Sequence, residues 1–210
     1  MKMNRHLRFA LLIVTILLFT SCAVSYRTIR PESFNYPTSV TVDGIKVSYK
    51  YDVLRSTGNK RYAEKEIKQG LRLIAIQITN QSDSTIRLSR DCDFYAGDVR
   101  ILPIAARDIS NRLKQQVWPY YFYLLMTFFE FSYTVTTPTS IMSGSWPVGY
   151  VLGPGLTLLN VTKASKSNSR LYINLNVTDV WNRDILRGET VNGLIGIDGS
   201  EVVPIHVRKK

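Results

Sequence analysis

Residues 40–103 alternate between apolar and polar side chains, which is the pattern of half-buried antiparallel strands. The clearest case is the Asp43-Gly44 pair, which separates two alternating runs. An Asp-Gly pair in this setting is typical of a two-residue hairpin turn. Further strands are predicted at residues 71–79, 85–89, 93–95 and 99–102, with a short helix at 63–68. We therefore expect residues 40–103 to form the first half of a β-sandwich.

The alternation returns near the C-terminus. Leu171, Ile173 and Leu175 occupy every second position and predict a strand. Two more strands are predicted at residues 190–197 and 203–207, and Asp198-Gly199 lies between them as a turn. Residues 169–210 then form the second half of the sandwich. The predicted fold class is mainly β: an antiparallel β-sandwich interrupted by an insertion at residues 104–168.

The insertion has a different pattern. Apolar residues at intervals of four predict a helix that packs along one face, and these are Ala105, Ile109, Leu113 and Val117. Residues 118–133 then contain nine aromatic side chains, and Glu130 is the only charged residue between Gln115 and Thr162. Small residues recur every four positions at Ser145, Gly149 and Gly153, a spacing that lets another helix approach closely. We expect a helical hairpin with an aromatic arm and a small-residue arm, turning near residues 136–144.

Three kinds of neighbour could cover so apolar an insertion: a membrane, the sandwich itself, or another protein chain, including a second copy. Membrane contact is the favoured interpretation, as a shallow or re-entrant hairpin. Residues 118–135 as a helix would reach about 27 Å, short of the roughly 30 Å hydrocarbon core. Glu130 is expected on a side that faces water or a basic partner. The predicted contact residues are Trp118, Tyr120, Tyr121, Phe122, Phe128, Phe129, Gly149 and Gly153.

The N-terminus has the pattern of a secretory signal. Lys2, Arg5 and Arg8 precede a short apolar run at residues 11–19. The run ends in Leu-Phe-Thr-Ser-Cys at residues 18–22, which resembles the lipobox of bacterial lipoproteins. The resemblance implies cleavage before Cys22 and acylation of Cys22, with palmitate among the acyl groups. We therefore assign residues 1–21 to a signal peptide and residues 22–39 to a tether between the lipid and the folded part.

A second resemblance concerns residues 71–97, LRLIAIQITNQSDSTIRLSRDCDFYAG. This run is similar to immunoglobulin-like domains of small Gram-negative envelope lipoproteins of unknown function, which implies an immunoglobulin-like sandwich and no particular task. The expected location is the cell envelope. No acidic run of the kind that resembles a surface-export signal follows Cys22, which favours the outer membrane, facing the periplasm.

The charge and the number of cysteines limit the binding partners and the disulfides that the chain can have. The chain has 27 basic and 16 acidic residues; removing residues 1–21 takes away three basic residues and leaves 24 against 16, a net charge of +8. Export argues against a nucleic-acid partner, and anionic lipid headgroups are the expected partner of the basic side chains. With Cys22 acylated, Cys92 is the only other cysteine, so an internal disulfide cannot form.

Catalytic and metal-binding patterns are weak. Cys92 and His206 could form a dyad if their strands brought them together, although a buried cysteine and a terminal histidine are the expected case. Asp91, Asp93 and Asp98 offer too few oxygen ligands for calcium. We expect no cofactor, no metal and no enzyme activity, and predict a lipid-anchored structural or assembly component of the envelope. The alternatives are a module that binds a small ligand or glycan in a cleft at one end of the sandwich, and an enzyme of unknown class.

Overall fold

The computed structural model describes residues 22–199 and 201–210. The predicted signal peptide, residues 1–21, lies outside the described residues. The chain divides into two compact units, each built from two separate segments. We call residues 22–25 with 115–167 the apolar unit, and residues 26–114 with 168–210 the sheet unit. Helix and strand are both abundant, so the fold is mixed α and β rather than mainly β.

The sheet unit contains three antiparallel sheets. The first has the strand order β1-β2-β3-β10, the second β11-β5-β6, and β4 pairs with β9. Their bounds are β1 Thr38–Val42, β2 Ile45–Lys50, β3 Leu71–Asn80, β4 Ile86–Arg87, β5 Cys92–Ala96, β6 Val99–Ile101, β9 Asp184–Ile185, β10 Thr190–Asp198 and β11 Ile205–Lys209. The predicted strands in residues 40–103 are therefore present, although the one expected at 85–89 is only two residues long.

One hydrophobic core joins the first two sheets. Buried side chains of the four-stranded sheet, such as Ile76 and Ile195, belong to the same cluster as Phe94 and Val207 of the three-stranded sheet. The strands β5 and β11 alternate between buried and less buried positions, as predicted. In β3 and β10, consecutive residues such as Leu73 to Ile76 are buried, so both faces of these strands are covered. Burial of this apolar area is the main stabilising contribution to the sheet unit.

The predicted Asp-Gly hairpin is confirmed. Val42 pairs with Ile45 across the turn between β1 and β2. Asp43 and Gly44 have φ values of 52° and 74°. Two consecutive positive φ angles match the twist of the flanking strands, which is why this dipeptide is favoured at the position.

The sheet unit also holds short helices. Their bounds are α1 Val53–Ser56, α2 Lys60–Lys68, α3 Leu88–Asp91 and α4 Ala106–Leu113, and a 3-10 turn, η1, spans Pro31–Ser33. The helix α4 is the one predicted from the spacing of four, and it buries Ile109 and Leu113. Ile109 packs over Gly196 of β10, where an added Cβ would lie 2.5 Å from the Ile109 Cδ1.

The strand predicted at residues 171–175 is wrong. These residues belong to the helix α5, Gly149–Val177. Leu171, Asn174 and Leu175 are buried while Tyr172 and Ile173 are exposed, which is the spacing of a helix face. A short run of this kind fits both a period of two and a period of 3.6. The helix is favoured because it begins at Gly149, well before this run, and continues through it.

The predicted helical hairpin in the insertion is also corrected. A 3-10 helix, η2, spans Trp118–Phe128, and a β-hairpin follows, β7 Phe131–Thr137 and β8 Ser140–Trp146. The helix α5 comes after the hairpin. Residues 131–137 read Phe-Ser-Tyr-Thr-Val-Thr-Thr, an alternating run rich in β-branched and aromatic residues, which favours a strand. The aromatic arm therefore ends before residue 131.

The first part of the segment assigned to a tether, residues 22–39, packs against the folded chain. Ala23 is 1% exposed, and Tyr26 and Ile29 are also buried. Within the sheet unit, the Ile29 N–H donates to Asn174 Oδ1 at 2.8 Å, and Asn174 Nδ2 donates to the Ile29 carbonyl at 3.0 Å. Composition could not reveal this, because the partners lie far away in the sequence.

Candidate contact surface

The residues that follow Cys22 are held by side-chain amides of the apolar unit. Cys22 is exposed, whereas the Ala23 N–H donates to Asn160 Oδ1 at 2.8 Å. The Val24 N–H donates to Gln115 Oε1 at 3.0 Å, and Gln115 Nε2 donates to the Val24 carbonyl at 2.7 Å. An amide side chain offers one donor and one acceptor, so it pairs with a peptide group as a neighbouring strand would. We call this arrangement the amide clasp.

Packing reinforces the clasp. Ala23 forms a buried cluster with Tyr120, Tyr123 and Ala164. The Ser167 hydroxyl also donates to the Val24 carbonyl at 3.0 Å. The chain is thus fixed from the residue immediately after Cys22.

Within the apolar unit, α5 buries small or polar residues. The buried positions recur every three or four residues: Gly149, Gly153, Thr157, Asn160, Ala164 and Ser167. The two glycines lie against η2. An added Cβ on Gly149 would overlap the Met126 carbonyl oxygen, and one on Gly153 would lie 2.5 Å from Thr127 Oγ1. The small residues therefore allow close approach of η2 to α5, as the spacing predicts for a packed pair of arms.

The large apolar side chains of the apolar unit point the other way. Exposed members from η2, the residue after it and α5 are Trp118, Tyr121, Phe122, Leu124, Leu125, Phe128, Phe129, Tyr150, Val151, Leu152, Leu158 and Leu159. We call this set the aromatic surface. Water-soluble monomers rarely leave so many large apolar side chains uncovered, so the aromatic surface indicates a contact site.

Five of the eight predicted contact residues lie on the aromatic surface: Trp118, Tyr121, Phe122, Phe128 and Phe129. Phe128 is 85% exposed. The other three, Tyr120, Gly149 and Gly153, are buried and shape the packing beneath it. Hydropathy alone could not separate the two groups, because buried and exposed positions of η2 are equally apolar. The buried Tyr120 and Tyr123 follow the three-residue period of a 3-10 helix and not the period of the expected α-helix. Glu130 is exposed, as expected, at the end of η2.

The β7–β8 hairpin has two chemically distinct faces. Cross-strand pairs on one face are Phe131 with Trp146, Tyr133 with Gly144 and Val135 with Met142, followed next to the turn by Thr137 with Ser140. Pairs on the opposite face are Ser132 with Ser145, Thr134 with Ser143 and Thr136 with Ile141. We call these the apolar hairpin face and the hydroxyl face. Every residue of both strands is exposed except Gly144, which is half-buried. The sequence interpretation missed this element because it assigned residues 118–135 to one helical arm.

The sheet unit does not bring Cys92 and His206 together. Cys92 pairs with Lys209, while His206 pairs with Tyr95 and stacks on its ring. Cys92 lies on the same face of the sheet as its partner Lys209. Residues 206 and 209 are an odd number of positions apart on one strand, so the side chains of Cys92 and His206 lie on opposite faces. Burial raises the pKa of the Cys92 thiol to about 11. This arrangement does not make a thiolate nucleophile.

Two of the three aspartates considered for calcium, Asp91 and Asp93, have basic partners. Asp93 pairs with Arg100 at 2.7 Å, and Asp91 pairs with Arg90 at 2.8 Å. The hydrogen bond from Arg90 is the main reason that the pKa of Asp91 is lowered to about 2. Among residues 22–199 and 201–210, no group of three His, Cys, Asp or Glu side chains is arranged to hold a metal ion.

The sheet unit has a cleft of about 290 Å³. It lies between the segment that leads into α4 and the C-terminal end of α5, and half-buried Trp181 contributes to its lining. Asn176, Asn182 and Asp179 supply polar groups at its edge. A cleft of this size suits a small ligand.

Comparisons with protein-family models, with curated proteins and with solved structures found no significant match to this chain. The inferences about its role rest on its own residues. Among the described helices, none combines the length and apolar character needed to cross a membrane.

Proposed function

We propose that this chain is an exported lipoprotein, cut before Cys22, acylated there and held at the outer membrane on its periplasmic side. We further propose that the aromatic surface of the apolar unit rests on the same membrane, so that the protein has a covalent and a non-covalent attachment. Its role would be structural or in assembly, without catalysis. The resemblance of residues 18–22 to a lipobox supports the covalent attachment.

The amide clasp is the observation that carries the second attachment. Cys22 is the residue directly before the buried Ala23, and one residue spans at most about 3.6 Å of backbone, so no flexible segment would separate the acylated side chain from the apolar unit. A lipoprotein with a long flexible tether could hold its folded part away from the lipid. Here the apolar unit itself carries the acylated residue, and its uncovered apolar side chains belong to the same compact unit. Lipid is therefore the nearest apolar phase.

The sheet unit would be the part that other envelope components recognise. We propose that its two larger sheets form an immunoglobulin-like sandwich, which the shared core of two antiparallel sheets supports. A rigid β framework held at a membrane by a separate unit fits an assembly or scaffolding role. The separation of Cys92 from His206 supports a role without catalysis.

The covalent attachment can be tested in a Gram-negative host with the full-length chain. Labelled palmitate should be incorporated into the wild-type protein and lost in Cys22→Ala. The matched control is Cys92→Ala, which should keep the label because its thiol is buried. A mature wild-type protein that carries no acyl group, or that still contains residues 1–21, would overturn this part of the proposal.

The non-covalent attachment needs a chain without acyl groups. A Cys22→Ala variant exported through a non-lipoprotein signal should still sediment with outer membranes at neutral pH. A soluble and monomeric protein would mean that the aromatic surface does not need lipid, and attention would move to the surface of the sheet unit.

The cleft in the sheet unit favours a second candidate function, the binding of a small ligand. Trp181 offers an aromatic wall, and the nearby amides offer hydrogen bonds, a combination that suits a neutral saccharide. Thermal-shift measurements with neutral mono- and disaccharides would test it. Stabilisation that Ala106→Trp abolishes, by filling the cleft, is the expected result; no stabilisation by any saccharide would remove this candidate.

A further inference from the structure

We infer that the β7–β8 hairpin is an interfacial membrane-binding element: its apolar face lies in the boundary between headgroups and acyl chains, and its hydroxyl face stays in water. The inference deepens the proposed function and rests on it, because the occupant is the membrane that would hold the acylated Cys22.

The β7–β8 hairpin is exposed on both faces in the part of the chain that the structure describes. It is a two-stranded sheet, and in the part of the chain that the structure describes no third strand pairs with it. Isolated two-stranded hairpins are marginally stable in water, and stability normally requires another layer against one face. The apolar hairpin face carries large side chains that are all well exposed; Trp146 is 65% exposed and Met142 67%. A further surface should therefore cover this face.

The two faces of the hairpin carry different kinds of side chain. With the exception of Ile141, the hydroxyl face consists of serine and threonine. The apolar hairpin face is continuous across Gly144, because the Tyr133 ring lies over it; an added Cβ would be 2.7 Å from Tyr133 Cζ. An aromatic side chain placed over a glycine in this way fixes register and fills the gap on that face. Such an arrangement suits a flat boundary between an apolar and an aqueous phase.

The composition of the hairpin and of the residues after it favours lipid over protein as the layer that covers the apolar hairpin face. No charged residue occurs from Phe131 to Thr162, although protein interfaces usually carry a polar and charged rim. Tryptophan and tyrosine are enriched at the level of lipid headgroups, and the apolar hairpin face carries Trp146 and Tyr133. Both outer edges of the hairpin retain backbone groups without strand partners, which headgroups and water can satisfy but hydrocarbon cannot. The hairpin would therefore lie along the interface.

The charge pattern predicts the lipid preference. Because the hairpin carries no charge, its binding to lipid should depend on apolar area and not on counter-ions. Neutral phosphatidylcholine vesicles should therefore bind it, with little change between low and high salt.

Adjacent residues on opposite faces provide the test. Both substitutions are made in the full mature chain with Cys22→Ala, and binding to phosphatidylcholine vesicles is measured by flotation and by tryptophan emission. Val135→Lys puts a charge on the apolar hairpin face and should weaken binding by about tenfold or more, the equivalent of losing one buried aliphatic side chain. Thr134→Lys adds the same charge on the hydroxyl face and should change binding less than twofold.

Each outcome has a distinct meaning. Equal effects of the two lysines would overturn the inference. If Val135→Lys instead dissociates an oligomer seen by sedimentation, while vesicle binding of the parent is absent, a second copy covers the face and the inference is wrong. Palmitate labelling of Cys22 is independent of both substitutions, so the inference can fail while the proposed anchoring stands. Circular dichroism of both variants checks that the sheet unit remains folded.

Discussion

Glu66 is a buried carboxylate whose protonation should control the stability of the sheet unit. It is 1% exposed, and its Oε1 accepts a hydrogen bond from the Leu73 N–H at 2.6 Å. Burial raises the pKa of Glu66 to about 7 from 4.5. The folded chain thus keeps a proton that the unfolded chain releases between these two values, so the free energy of unfolding should fall as the pH rises from about 4.5 to 7.

Glu66→Gln keeps the acceptor for Leu73 and removes the ionisation. We expect the variant to lose the decline in stability over this pH range and to exceed the parent above pH 7 by up to roughly 3 kcal/mol. Urea unfolding of both proteins, each with Cys22→Ala, at pH 5 and pH 8 measures the difference. A parallel decline in the two proteins would show that other groups are responsible.

Glycines in α5 should respond to substitution according to their neighbours. Gly153→Ala places a Cβ 2.5 Å from Thr127 Oγ1, so the contact of η2 with α5 must open, at a cost of about 2 kcal/mol. Gly155→Ala is the matched control, because in the described structure no atom beyond its own stretch of helix lies within 4 Å of the added Cβ. Alanine is the better helix former, so the control should be neutral or more stable by up to about 1 kcal/mol. Thermal unfolding reports both; similar losses would mean that close packing is not the reason for glycine at 153.

Sequence reasoning located these glycines but not their partner. The spacing of four between Gly149 and Gly153 indicated close approach of another segment. The partner, η2, is a 3-10 helix, and its buried Tyr120 and Tyr123 follow a period of three. A prediction based on the α-helical period of 3.6 does not show which of its groups face α5. Burial of Glu66 was also not foreseeable, since acidic residues in a short helix are usually exposed.

At the scale of elements, Asn174 should contribute more to the stability of the sheet unit than Asn176, two residues further along α5. Its side chain accepts from the Ile29 N–H and the Tyr26 hydroxyl and donates to the Ile29 carbonyl. Asn174→Leu leaves buried peptide groups of Ile29 unpaired, and we expect a loss of about 3 kcal/mol. Asn176→Leu is the control: it is exposed and bonds only to the Tyr172 carbonyl of its own helix, so it should change stability by less than about 0.5 kcal/mol.

Hydrogen exchange gives a local readout for the same pair. The Ile29 amide should exchange much faster in Asn174→Leu and at an unchanged rate in Asn176→Leu. If Ile29 remained protected in Asn174→Leu, packing rather than the amide would hold this segment.

The elements predicted correctly are those in which the spacing of apolar residues fits either a strand or a helix, but not both. The hairpin at Asp43-Gly44 and the helix α4 combine a clear period with clear turn residues or length. The strand predicted at residues 171–175 is wrong because a short run there fits both periods. The β7–β8 hairpin at residues 131–146 was not predicted because its uncharged residues follow the aromatic run without a break, although aromatic or aliphatic and hydroxyl side chains alternate along it.

At the scale of the whole molecule, both compact units are built from segments far apart in the sequence. Gln115 and Asn160 meet residues 23 and 24 in the apolar unit. Polar residues in an otherwise apolar insertion gave no hint of such partners, because an amide side chain can pair with any peptide group. The sequence therefore predicted an inserted apolar region, but not that residues 22–25 belong to the same compact unit.

The amide clasp also has a consequence for the order of maturation. Enzymes that acylate a cysteine and cut the bond before it need the flanking backbone in an accessible, extended form. In the folded chain the Ala23 N–H is bonded to Asn160 and buried. On the proposed route, the backbone around Cys22 is therefore more accessible while the clasp is open, so processing is favoured before the apolar unit has folded around residues 23 and 24.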